Sequence, residues 1–493
     1  MKIKLKSMIS SSFIIFLSVN LHAEEYNINF NEINYEVKTI KQNNKDIKYR
    51  AYENIVYVKN PVDIKYQTLN FYVPEEYFEG KKINGYDIKT VPIFFPNSIG
   101  GYMPATAGTL DGNQRGGIEG KRENASAVAL AKGYVVAMPG ARGRTTKDEN
   151  GIFTGKAPAA IVDLKAAVKY LHFNDSKMAG DANKIISNGT SAGGALSALL
   201  GASVESKDYE SYLKELGAAD ASDSIFAVST YCPITNLEHA DMAYEWQFNK
   251  IINYKSLKIT QDTDFKMKRE FVLGAMTKDR IALSKKLKEQ FPAYVNSLNL
   301  KDEKGNQLTL DKEGNGSFKE YYKTVIIKSA QKELDKGTDL SSFSWLSISD
   351  GKVVDIDFDA YVAHVGRMKV TPAFDDVALT SGENNLFGTK SIDNQHFTKF
   401  SYENSTVKGS MADSDVIKLM NPMNYINRDN LPKNWRIRHG EMDADTSLAI
   451  SLILSTKLKN NGYNVDYASP WAISHSGDYD LDELFTWIDN ISK

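Results

Sequence analysis

Short apolar runs and longer segments of helical periodicity take turns along the first half of the chain. Residues 91–96 and 134–138 are continuous apolar stretches of strand length, and residues 184–188 form a third. Between them, residues 125–132 read as a helix. Residues 159–171 set Ile161, Leu164, Val168 and Leu171 on one helical stripe, and Pro158 stands where a helix starts. Residues 50–95 alternate strand-like segments with polar turns. Strands alternating with helices of this length predict a parallel sheet covered on both faces.

The pattern then changes. Residues 240–345 are charged and helical in character, with runs such as 280–289, and 301–305 and 311–316 are polar, turn-rich breaks. No motif in this region ties to chemistry. Alternation resumes with a strand at 434–438, a helix at 446–461, a strand at 464–468 and a last helix at 480–491. The arrangement predicts a discontinuous α/β core, residues 24–231 and 421–493, with a large and mainly helical domain inserted over 232–420. An insertion that leaves and returns at the carboxyl ends of the strands would roof the ligand crevice as a lid.

Length and composition narrow the function. The chain has 493 residues with a formal net charge of -2, so nothing in it suits a nucleic acid or another polyanion. Residues 1–23 read as an export signal: Lys2, Lys4 and Lys6 precede a largely apolar run over 8–21, and Leu21-His22-Ala23 stands before the cut. The run is too short, and too broken by serines and Asn20, for a retained membrane anchor. Losing the signal removes three lysines and no acid, which takes the net charge from -2 to -5. Cys232 is the one cysteine, so no intramolecular disulfide forms, and its apolar setting before Pro233 reads as packing. The mature protein is expected to be periplasmic or secreted. The sequence leaves its oligomeric state open.

Candidate chemistry starts at Gly189-Thr190-Ser191-Ala192-Gly193, set between an apolar strand and a small-residue helix. A G-x-S-x-G turn in that setting exposes its serine as a nucleophile, and the glycines let strand and helix meet at a strained turn. A serine needs a base oriented by an acid, and in an α/β-hydrolase they follow in the order serine, acid, histidine. Of the seven histidines, His22 lies in the signal, His172 precedes the serine, and His239, His364 and His396 fall in the insertion. His475, in a loop between the last strand and the last helix, fits the base, whereas His439 reads as structural. Asp443, in the turn after a strand, fits the acid, with Asp445 and Glu441 as rivals. The oxyanion hole needs two backbone N–H donors. Ala192 supplies one, and Gly100 or Gly101, in the loop after the strand ending at Pro96, the other.

These residues sit in longer motifs: Gly189-Thr190-Ser191-Ala192-Gly193-Gly194, Phe94-Phe95-Pro96-Asn97-Ser98-Ile99-Gly100-Gly101-Tyr102-Met103, Arg436-Ile437-Arg438-His439-Gly440, and Pro470-Trp471-Ala472-Ile473-Ser474-His475-Ser476-Gly477-Asp478-Tyr479. They resemble those of bacterial tannases, specifically the group often called subtype B, across nearly the whole mature chain. The resemblance implies an α/β-hydrolase core with a large lid, acting on esters of gallic acid without metal or organic cofactor. Carried over by motif, Ser191 is nucleophile, His475 base and Asp443 acid. Lys369, Glu383 and Asp445 would bind the three phenolic hydroxyls of the galloyl ring, and Ile234 would line one face of it. Vicinal phenols offer a row of donors to carboxylates, and an ammonium can donate to a phenolic oxygen. The rival readings are an esterase for other phenolic acids such as ferulate, an exported peptidase on the same core, and a non-catalytic binding protein on an esterase scaffold.

Overall fold

The computed structural model describes residues 25–111, 123–261 and 267–493. The export signal read over 1–23 lies outside the described residues. Strands β1 (Glu36–Gln42), β2 (Lys45–Val56), β3 (Thr68–Pro74), β4 (Pro92–Pro96), β5 (Val135–Pro139), β6 (Asp181–Thr190) and β7 (Ala227–Tyr231) come first. A long intervening region contributes the hairpins β8 (Asn253–Gln261) with β9 (Met267–Ala275) and β10 (Leu346–Ser349) with β11 (Lys352–Ile356). Strands β12 (Asn434–Arg438) and β13 (Asn464–Ala468) complete the set.

Nine of these strands form one sheet in the order β1-β2-β3-β5-β4-β6-β7-β12-β13. From β5 to β13 all neighbours are parallel, while β1, β2 and β3 pair antiparallel and β3 runs antiparallel to β5. The sheet is therefore mixed, where alternation predicted a parallel one. The N-terminal residues 36–74 form a meander with no helix between strands, so antiparallel pairing is open to them. The middle of the parallel sheet is buried: Ile93, Phe94, Val135, Val136, Ile185, Ile186, Val228 and Ile437 are each at most 1% exposed. Helices Ala159–Phe173 and Ala192–Ala202 pack together beside β6 and β7. Helices Ala125–Ala131 and Leu481–Ser492 form a second pair, whose Phe485 ring lies 5.4 Å from Phe94 of β4.

The chain steps from β4 outward to β5 and then returns past β4 to β6. The strand order thus reverses between β4 and β6, and a crevice opens outside their carboxyl ends. With the inserted region between β7 and β12, this is an α/β-hydrolase fold with a mainly helical insertion. Helices Leu237–Phe248, Lys278–Ser297 and Ser317–Asp335 build that insertion, with Trp246 among Phe291, Phe318, Tyr322 and Phe358 at centroid distances of 5.2 to 5.8 Å. The β8–β9 hairpin interrupts the stretch read as helical over 240–345. Tyr254, Phe271 and Val272 favour an extended strand there, and the interspersed lysines leave no clear period to announce it. No described helix is long and apolar enough to cross a membrane.

Candidate active site

The turn from β6 into the helix Ala192–Ala202 forces Ser191 to φ 60° and ψ −122°, a conformation an L-residue holds only at a cost of about 1–3 kcal/mol. Close approach maintains it. A Cβ on Gly189 would stand 2.3 Å from the Gly193 carbonyl, and one on Gly193 would stand 2.5 Å from Asn97 Oδ1 and 2.7 Å from the Ile99 carbonyl. The Ser191 N–H donates to the Tyr231 carbonyl of β7 at 3.0 Å, which ties the elbow to the sheet.

Two further loops meet the serine. Ser191 Oγ lies 2.8 Å from His475 Nε2, and His475 Nδ1 lies 2.8 Å from Asp443 Oδ2. Asp443 is fully buried at its side chain, and its Oδ1 accepts the N–H groups of Asp445 and Thr446 at 2.8 and 3.1 Å. Burial alone would raise the Asp443 carboxyl, but His475 and His439 beside it hold it below its usual 3.8. Burial alone would likewise lower the His475 imidazole, yet the Asp443 and Asp445 carboxylates lift it well above 6.5. The structure thus brings together the serine, acid and histidine singled out in the sequence.

His439 stands closer to this chemistry than a purely structural reading implies. Its Nε2 lies 3.3 Å from Asp443 Oδ2 and 3.2 Å from the Thr446 carbonyl. Facing two acceptors, Nε2 is assigned the proton, so His439 donates to the same Asp443 oxygen that His475 meets. Burial lowers the imidazole below 6.5, against the pull of Asp443.

The loop that follows β4 packs on the same elbow. Asn97 Nδ2 donates to the carbonyls of Asn188 and Gly193 at 3.3 and 3.0 Å and to Ser197 Oγ at 3.0 Å. Gly101 and Tyr102 both take positive φ, at 56° and 55°, so the loop turns sharply beside the serine. Ala192 opens the helix, and its N–H has no partner one turn back. The loop that carries Gly100 and Gly101 thus lies, through Asn97, against the elbow at which Ala192 opens the helix. Ile234 is 3% exposed, its N–H reaches the Ser191 carbonyl at 3.4 Å, and its own carbonyl accepts from the Tyr102 hydroxyl at 3.3 Å.

Lys369 Nζ and Asp445 Oδ1 pair at 2.9 Å, and the same Asp445 oxygen stands 3.9 Å from His475 Nε2. Burial would raise the Asp445 carboxyl, but Lys369 and His475 depress it to about 2. Glu383 joins them electrostatically; burial pushes its carboxyl above 4.5 against the pull of Lys369. A lysine from the insertion and an aspartate from the core return are thereby placed next to the base, with Lys369 Nζ also 4.1 Å above the Phe374 ring.

What fixes Lys369 was not visible in the sequence. Tyr244, from the stretch read as free of chemistry, accepts the N–H groups of Met368 and Lys369 at 3.1 and 3.0 Å, and its hydroxyl donates to the Ala444 carbonyl at 2.8 Å. One hydroxyl thus clamps the insertion to the turn between Asp443 and Asp445. Next to it, Arg367 pairs with Glu245, both side chains fully buried, and Arg367 Nε donates to the Lys369 carbonyl at 2.6 Å. Asp241 accepts the N–H groups of Phe374 and Asp375 at 2.8 and 3.0 Å, and burial raises its carboxyl to about 7. No spacing rule links residues more than a hundred positions apart.

Among the described residues, one His/Cys/Asp/Glu group is compact enough to hold a metal: Cys232, Asp443 and His475. Two of the three already hydrogen-bond to each other, and Cys232 Sγ lies 3.9 Å from His475 Nε2 with burial raising its thiol. A buried protonated thiol is a poor ligand and a poor nucleophile, so the set serves the serine.

Comparison with known proteins agrees with this geometry. The esterase family model BD-FAE matches residues 107–288. Curated protein sequences gave no match. Among solved structures, a Fusobacterium nucleatum tannase is 55% identical, with a TM-score of 0.90 over 95% of this chain and 100% of its own. A tannin acyl hydrolase in complex with ethyl gallate is 46% identical, with a TM-score of 0.88 over 94% of this chain and 99% of its own. A tannase from Lactobacillus plantarum is 44% identical, with a TM-score of 0.90 over the same shares, 94% and 99%. With a serine elbow on an α/β-hydrolase sheet and identity of this order along nearly its whole length, the chain belongs to the bacterial tannases and is a carboxylic ester hydrolase.

Proposed function

We propose that this chain hydrolyses galloyl esters, both simple gallates and gallotannins, and releases gallic acid through a galloyl-enzyme intermediate. The observation that carries the reading is the Lys369–Asp445 pair standing 3.9 Å from the imidazole that also touches Ser191. A ring-recognition group and an acyl-transfer group share one histidine. Ethyl gallate, bound by one relative, is the ligand class this set fits.

Ser191 Oγ attacks the ester carbonyl while His475 Nε2 takes its proton, and Asp443 stabilises the imidazolium. The N–H groups of Ala192 and of Gly100 or Gly101 receive the oxyanion. His475 then protonates the leaving alcohol and afterwards activates the water that cleaves the galloyl-enzyme. Lys369, Glu383 and Asp445 hold the phenolic hydroxyls, and Ile234 packs on the ring. A ring without those hydroxyls leaves the three polar groups unpaired, which is the physical source of selectivity. Residues 24–231 and 421–493 act as the core and 232–420 as the inserted lid. The chain is exported to the periplasm or beyond, and its signal is cleaved near Ala23.

Steady-state kinetics on methyl gallate, methyl protocatechuate and methyl ferulate test the reading. Gallate is expected to be preferred over ferulate by about a hundredfold or more, in line with the loss of buried hydrogen bonds. Equal turnover, or a preference for ferulate, overturns it. Ser191→Ala is expected to lower methyl gallate hydrolysis by at least about a thousandfold with the fold intact, and retained turnover removes Ser191 from the mechanism.

A further inference from the structure

A cavity of about 440 Å³ opens between residues 144–153 and 380–394, lined by Arg144, Lys147, Phe153, Ser381, Asn385 and Asn394 among others. Arg144 is its wall toward the catalytic centre. The Arg144 Nε donates to the Gly101 carbonyl at 2.8 Å, in the loop assigned to the oxyanion hole, and Nη1 donates to Asn385 Oδ1 at 3.0 Å. The same guanidinium lies 3.3 Å from where a Cβ on Gly382 would stand, one residue before Glu383, whose carboxylate acts on it through space. Arg144 thus links the cavity to the loop of Gly101 and to the segment of Glu383.

The charges in this cavity are unbalanced. Among the described residues Arg144 has no ion-pair partner and its Nη2 no acceptor, although the side chain is only partly exposed. Lys147 is exposed and lies 4.2 Å from the Phe153 ring, again with no carboxylate partner among the described residues. The acid on the rim, Asp393, is already engaged by Lys156 Nζ at 3.2 Å and by Asn385 Nδ2. Arg144, held by Gly101 and Asn385, and the exposed Lys147 therefore face a cavity whose lining, apart from the Asp393 carboxylate, is hydroxyl, amide and aromatic, in a chain of net charge -2. Cations, hydroxyls and amides suit vicinal phenols, whose acidity rises beside positive charge, and guanidinium groups also stack on aromatic faces. The volume falls in the range of small-molecule sites, and exposed Thr145, Lys147 and Thr380 leave it open to solvent.

We propose that this cavity is a second subsite, which holds another polyhydroxylated ring of a multiply galloylated ester while the first is cleaved. The proposal rests on the galloyl-esterase reading above. It gives the insertion a second task, since Ser381, Asn385 and Asn394 come from the same segment as Glu383.

The test compares kcat/KM for pentagalloylglucose with kcat/KM for methyl gallate in the full-length chain and in Lys147→Ala and Lys147→Glu, at low ionic strength. Lys147 is exposed, so both variants are expected to fold, and a thermal melt checks this. The ratio is expected to fall at least about fivefold in Lys147→Glu, through KM, and in the same direction but less in Lys147→Ala, a size suited to one charge contact. A ratio unchanged within twofold in Lys147→Glu overturns the subsite, as does a parallel loss on both esters. Failure of the unaltered chain to cleave methyl gallate overturns the galloyl-esterase reading instead, so the two failures are distinct.

Discussion

Glu441 lies two residues before Asp443, the carboxylate paired with His475, and is 2% exposed. Its Oε2 accepts the Ala472 N–H at 3.2 Å, and Oε1 has no partner among the described residues. Its own N–H donates to the Pro470 carbonyl at 3.0 Å, and the Met442 N–H donates to the Ile473 carbonyl at 2.9 Å. This turn therefore carries the loop that presents His475. Burial pushes the Glu441 carboxyl from 4.5 to about 7. The folded chain keeps that proton up to about pH 7, while the unfolded chain releases it near 4.5. Stability from this group is thus complete below about pH 4.5, falls as pH rises toward 7, and is gone above it. At about 1.4 kcal/mol per pH unit the loss reaches roughly 3 kcal/mol. Glu441→Gln keeps the acceptor for Ala472 and removes the charge. Urea denaturation at pH 4 and pH 8 is expected to show the variant gaining about 2–3 kcal/mol on the unaltered chain between the two pH values. Parallel pH profiles for the two proteins would refute the argument, because they would mean that Glu441 does not change its proton affinity on folding.

Asn97→Ala removes three side-chain hydrogen bonds between the β4 loop and the serine elbow. It is expected to lower kcat by about 10- to 100-fold with little change in KM on methyl gallate, because it blurs a backbone oxyanion donor. Lys369→Met leaves Asp445 without its 2.9 Å partner. Its selectivity for methyl gallate over methyl benzoate is expected to fall by about a hundredfold, or roughly 2–3 kcal/mol. Asp445→Asn removes one of the carboxylates that raise His475. With less to hold the imidazolium, the neutral base survives to lower pH, so the acid limb of kcat/KM on a p-nitrophenyl ester is expected to move downward in pH.

Ser191, Asp443 and His475 were legible because each follows a strand that its own apolar pattern announces, and chain order alone then restricts which acid and histidine can serve. The strands at 434–438 and 464–468 match β12 and β13 to the residue. The insertion was harder to read. Its β8–β9 hairpin pairs antiparallel with lysines at 255, 258 and 268 interspersed, so little hydrophobic period marks it in the sequence. The antiparallel start of the sheet was likewise invisible, because strand direction is set by partners and not by composition.

The sequence alone thus determined the class of chemistry: a serine on a glycine-lined elbow, with an acid and a histidine in order, is local information written into turns and strand ends. Only the tertiary structure decided how Lys369 and Asp445 meet that serine and histidine. Lys369 reaches Asp445, itself 3.9 Å from His475, because Tyr244 clamps residues 368 and 369 to Ala444, and because Arg367 and Glu245 pair out of water. Those contacts join residues that are far apart along the chain, and a buried pair is worth its desolvation only when both partners are in place. Neither partner alone carries a mark in the sequence.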